Sequence, residues 1–131
     1  MSFNKISQWA LRIIPALILL QTLYFKFSAA PESVYIFETM GLEPYGRIGL
    51  GIVELITGIL LLIPRTTWMG AVLGTGIMAG AIFSHLTVLG INVQGDGGAL
   101  FAMAVITFVC CAIQVWMYRK EVPFLNSIVP G

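Results

Sequence analysis

Five side chains in this sequence have the types and spacing for chemistry in an apolar setting: Lys26, Glu54, Thr57, His85 and Asp96. Glu54 stands about a third of the way into an apolar run over residues 46–65, where an ionised carboxylate is costly enough to need a partner. Lys26 and His85 are the obvious partners. With an ordinary pKa of about 6.5, the imidazole is the natural proton carrier, and a Glu54–His85 pair could bind or protonate a small molecule. The structural alternative is that these groups only satisfy one another, as polar residues left among membrane helices must. Asp96 precedes Gly97 and Gly98 and is placed to cap the helix that follows. No nucleophile, redox pair or other self-contained catalytic set is visible.

The elements that must bring these residues together are four apolar runs, near residues 9–27, 47–63, 67–89 and 98–118. Each approaches the length of about 20 residues that crosses a hydrocarbon core of about 30 Å. Only Pro64, Arg65 and Thr66 separate the second run from the third, so those two helices must be antiparallel neighbours. The runs lack the period-2 alternation of a barrel strand. The first run could be a signal peptide, with Lys5 as its basic start and Ser28, Ala29 and Ala30 as a cleavage site. Arg12 within its apolar core, Lys26 near the supposed cut and Pro31 just after it favour a retained span. The expected fold is an all-α integral membrane protein: one domain over residues 1–131, an antiparallel four-helix bundle with an amphipathic outer loop between helices one and two.

Helical spacing then aligns the polar groups. Gly51, Glu54, Thr57 and Gly58 share one face of the second helix, and Gly70, Gly74, Met78, Ala81 and His85 form a stripe on the third. At about 1.5 Å per residue from the outer ends, Glu54 lies about 10 Å deep and His85 about 6 Å. Lys26 reaches inward from the end of the first helix, beside Thr22 and Leu19, and Asp96 sits at the same end. The five form one candidate ligand-binding set in the outer half of the bundle. The inner half offers only Gln114 as a buried polar group, and Arg12 is expected to snorkel to the interface. Between the first two spans, Pro31 could begin a short helix that Gly41 ends, lying over the bundle as a lid or as a plain interfacial connector.

Composition agrees with a bilayer. The chain of 131 residues is 58% hydrophobic and 10% charged, far below the roughly 25% charged of soluble domains. Its net charge of +1 leaves no basic field for nucleic acid. Cys110 and Cys111 are adjacent in an apolar run, which suits packing and neither metal ligation nor thiol exchange. One His with two carboxylates is a weak metal set, so no metal is assigned; two-His haem ligation and a phosphate loop are excluded. Lys5, Arg12, Arg65, Arg119 and Lys120 fall on the side of the termini, against Lys26 and Arg47 opposite, which predicts cytoplasmic termini. The tail over residues 123–131, with Phe124, Leu125, Ile128 and Val129, would rest on the inner membrane surface.

The residues in sequence order resemble a known family. Lys26-Phe27 closes the first span, Met40-Gly41-Leu42 precedes the second, and Gly51, Glu54 and Gly58 mark its packing face. Leu60 to Leu62 runs into Pro64-Arg65-Thr66, and Ser84-His85-Leu86 closes the third span. Over nearly its whole length the chain resembles the DoxX and DoxX-like family of small four-span bacterial membrane proteins. The resemblance implies a multi-pass protein of the bacterial inner membrane. Some members are linked to membrane redox complexes, including the small subunits of a thiosulfate:quinone oxidoreductase and a thiol-stress assembly. It therefore implies an accessory subunit of a membrane redox system, with an oxidoreductase partner and an outer pocket for a quinone-like or lipid-like molecule held without a covalent bond. A small-molecule binder or transporter, working as a homo-oligomer with Glu54 and His85 exchanging protons, and a purely structural scaffold are the alternatives.

Overall fold

The computed structural model describes residues 4–93 and 95–123. The tail residues Phe124, Leu125, Ile128 and Val129 lie outside the described residues. Among the described residues all regular structure is helical: α1 (Lys5–Phe27), α2 (Pro31–Thr39), α3 (Tyr45–Leu62), α4 (Thr67–Ser84) and α5 (Ala99–Met117). The four long helices are each long and apolar enough to cross a membrane, the third counted with the turns that flank α4. The expected helical membrane bundle is therefore what the chain forms.

Local chemistry sets the boundaries. α1 starts a turn before its apolar run because the Asn4 side chain accepts a hydrogen bond from the Ser7 backbone N–H at 2.8 Å. Pro31 opens α2, with Glu32 in its first turn, as its fixed φ and missing N–H allow. Between α3 and α4 lies a single 3₁₀ turn, Pro64–Thr66. Thr66 donates to the Leu60 carbonyl at 2.9 Å, and Thr67 donates to Leu61 at 3.1 Å and Ile63 at 3.0 Å. The carbonyls that α3 leaves unpaired at its end are thus met by the first hydroxyls of the next helix.

The spans form a ring in which α1 packs on α3 and α5, and α4 packs on the same two. Leu19, Leu61, Ala71, Met78, Ala104 and Cys111 meet in the core. Close approach of α3 and α4 depends on Gly70, where an added methyl would lie 2.8 Å from the Leu61 backbone nitrogen. α2 lies across the opposite end from the termini and touches α1, α3 and the turn after α4.

Two readings of the terminal end are corrected. Arg12 does not snorkel outward but is buried, with Nε donating to Thr67 Oγ1 at 3.2 Å and Nη2 to Tyr118 Oη at 2.8 Å. Gln114 is consequently not alone there: Arg12 and Thr67 are buried beside it, and its amide donates to the Leu11 carbonyl at 2.7 Å. Two hydroxyls brought in by the ends of neighbouring helices made an inward orientation available to Arg12, which counting charges along one helix does not reveal.

Candidate functional site

At the α2 end, α1 carries Lys26 in its last turn and α3 carries Glu54 on the face toward it. Lys26 Nζ lies 2.9 Å from Glu54 Oε1, with both side chains largely buried. A carboxylate offers about four acceptor sites, so this one contact leaves Glu54 with unused acceptor capacity. Arg47, one turn into α3, steadies this arrangement. Its Nε donates to Glu43 Oε1 and Oε2 at 2.9 and 3.1 Å, and its Nη1 donates to the Lys26 backbone carbonyl. The end of α1 is thereby fastened to α3 beside the ion pair.

His85 begins a π-turn, His85–Leu89, that finishes the third span. π-turns insert a residue into the helical register and often occur at functional sites. The Gly90 N–H donates to the His85 carbonyl at 2.8 Å, and His85 Nδ1 lies 2.9 Å from the Gly90 carbonyl oxygen. A carbonyl only accepts, so Nδ1 carries the hydrogen, and in the neutral ring Nε2 is the acceptor left over. Phe101 holds the imidazole edge-on, with ring centres 5.5 Å apart.

Asp96 caps α5 from the connecting loop. Its Oδ1 accepts from the Val93 and Gly98 N–H groups at 3.0 and 2.8 Å, and its Oδ2 from Leu100 at 3.1 Å. Slight burial pushes this carboxyl up, but those three donors and the nearby His85 outweigh it. The net result is a pKa below the ordinary carboxylate value.

These pieces surround one cavity of about 790 Å³, within the range of small-molecule sites. Lys26, Glu54, His85 and Asp96 all line it, together with Glu32, Phe37 and Met40 from α2 and its cap. Most of the wall is apolar, including Ile77, Met78, Leu100 and Met103. Gln21, Phe25, Gly76 and Gly80 are lining residues that are also exposed, so the cavity reaches the outer flank of the bundle. Thr57 is the one candidate not brought to it: fully buried, it donates to the Val53 carbonyl at 2.8 Å and packs between α3 and α4 near Gly74. Sharing a helix face with Glu54 was not enough, because Thr57 sits a turn deeper, where the helices close together. The sequence reading also missed Arg47, although Glu43 four residues before it was a usable signal. Among the described residues no three His, Cys, Asp or Glu side chains gather as a metal would require.

A ring of four apolar helices, with a mainly apolar cavity that carries a few ionisable groups under a short amphipathic helix, defines a small multi-pass membrane protein with a ligand-sized chamber. The model of the DoxX-like family matches residues 10–114, most of the chain, and the protein belongs to that family. No curated protein and no solved structure matches it.

Proposed function

We propose that the cavity at the α2 end receives a quinone-like or lipid-like molecule, and that the protein serves as an accessory subunit of a membrane redox system. The observation that carries the binding part is the composition of the wall. An apolar chamber of about 790 Å³ with a few polar groups at one end suits an amphiphile, whose tail takes the apolar part. His85 Nε2 and the spare acceptor capacity of Glu54 suit hydroxyl donors on the head, and Lys26 suits a carbonyl or other acceptor. Exposed lining residues on the flank favour a molecule arriving from within the bilayer. The redox setting rests on the family resemblance alone, as do an oxidoreductase partner and the inner membrane. Cytoplasmic termini rest on the basic residues at that end.

The test is binding of a short-chain benzoquinone to purified protein in detergent, read by thermal shift and direct titration. Saturable binding by the wild type, weakened at least tenfold in Glu54→Gln and His85→Ala variants that keep their melting temperature within a few degrees, supports a site. Absence of wild-type binding at high quinone concentration sinks the quinone reading. Unfolding of both variants without any ligand for the wild type favours a scaffold. A pH-dependent flux of solute in vesicles would point instead to transport.

A further inference from the structure

The opposite end of the bundle holds a cation that no acid among the described residues pairs with. Arg12 is 6% exposed, and its partners are two neutral hydroxyls, Thr67 and Tyr118, with the indole of Trp9 under its guanidinium at 4.8 Å. Among the described residues there are two ion pairs, Lys26–Glu54 and Arg47–Glu43, and both lie at the α2 end. Arg119 adds a second guanidinium at the terminal end, stacked on Trp116 at 4.3 Å with its Nε–H buried and unpaired. It follows Tyr118 directly, so the Arg12 partner and the second cation share one turn of chain.

A guanidinium cannot shed its proton to escape burial, so it needs a countercharge or a place at the water interface. The depth of the site is fixed by its partners. Thr67 is the first residue of α4, and Tyr118 follows the last of α5. All three tryptophans, Trp9, Trp68 and Trp116, lie at this same end, as in the aromatic belt of a membrane–water boundary. Phosphate groups lie at that level, and a planar guanidinium matches two phosphate oxygens at once. Lys5 and Lys120 add positive charge nearby in the chain.

We propose that Arg12, supported by Arg119 and framed by Thr67 and Tyr118, binds a phosphate-bearing anion, namely the phosphodiester headgroup of an anionic phospholipid in the leaflet on the side of the termini. This site is separate from the α2-end cavity and stands whether or not that cavity binds a quinone. Thr67 and Tyr118 hold the guanidinium through Nε and one Nη2 hydrogen, and Nη1 remains for the headgroup oxygens. The tryptophans seat the adjoining glycerol and acyl carbons.

The experiment is thermal unfolding of the full chain in neutral detergent, titrated separately with phosphatidylglycerol, phosphatidylcholine and inorganic phosphate. Phosphatidylglycerol is expected to raise the melting temperature saturably, with an apparent Kd at least tenfold weaker in Arg12→Lys, which keeps the charge but loses the fork. Arg119→Gln is expected to weaken it about threefold. Protection by inorganic phosphate equal to that by phosphatidylglycerol, and lost in Arg12→Lys, keeps the anion site but assigns it to the free ion. Equal protection by phosphatidylcholine and phosphatidylglycerol overturns the proposal. So does phosphatidylglycerol protection unchanged in both variants. If Arg12→Lys does not fold, the Arg119→Gln titration and the lipid comparison on the wild type decide alone.

Discussion

The two ends of the bundle handle charge in opposite ways. At the α2 end every buried cation has an acid within 2.9 Å, and the helices stand far enough apart to leave a chamber. At the terminal end the helices close on Gly70 and Gly74, and a buried arginine is held by two neutral hydroxyls and an indole face, with no acid paired to it among the described residues. Close packing needs small residues, and a chamber needs polar groups that are already satisfied when it is empty. The bundle meets both needs because the tight glycines, Gly70 of α4 against Leu61 and Gly74 of α4 against Cys111, stand at other depths than Lys26, Glu54 and His85.

The largest test of this contrast is to break the internal pair. Lys26→Ala leaves Glu54 buried without its cation and is expected to cost about 3–5 kcal/mol of stability, whereas the double replacement Lys26→Met with Glu54→Leu should recover most of that loss. Unfolding in denaturant titrations of detergent-solubilised protein measures both, and a silent single variant would mean that the pair contributes nothing. Next, Gly70→Ala at the close-packed end would push a methyl against the Leu61 backbone and should cost about 1–3 kcal/mol. Gly80→Ala at the cavity meets nothing within 4 Å and should be neutral or stabilising by up to about 1 kcal/mol through helix propensity. Equal effects at the two glycines would erase the distinction between a closed end and an open one.

Smaller effects sharpen the α2 end. Asp96→Ala removes the acceptor for three backbone N–H groups and is expected to cost about 1 kcal/mol, while Asp96→Asn, which still caps, should lose less. The folded Asp96 carboxyl sits below its unfolded value near 3.9, so its stabilisation is present above pH 4 and fades as the pH falls through the lowered folded value. Melting temperatures of wild type and Asp96→Asn should therefore converge in acid. A gap between them that persists at pH 2 would remove charge from the account.

Much of this was legible in residue order. The four apolar runs gave the spans, and the three-residue link gave the α3–α4 neighbours. Spacing placed Glu54 and His85 on inward faces, because helical periodicity acts along one helix and carries over to a bundle. What stayed hidden depends on partners from other helices. Arg12 turned inward toward hydroxyls 55 and 106 residues away. Arg47 reached the carbonyl of Lys26 across a loop, and the π-turn at His85 arose from a shift of backbone register with no residue signature of its own.

The link between α3 and α4 bears on how the protein enters a bilayer. Because hydroxyls of Thr66 and Thr67 already occupy the last carbonyls of α3, the turn exposes few unmet backbone acceptors to hydrocarbon. The two helices can thus be inserted as one preassembled hairpin, and whichever face of the membrane receives Arg65 settles the direction of both at a single step.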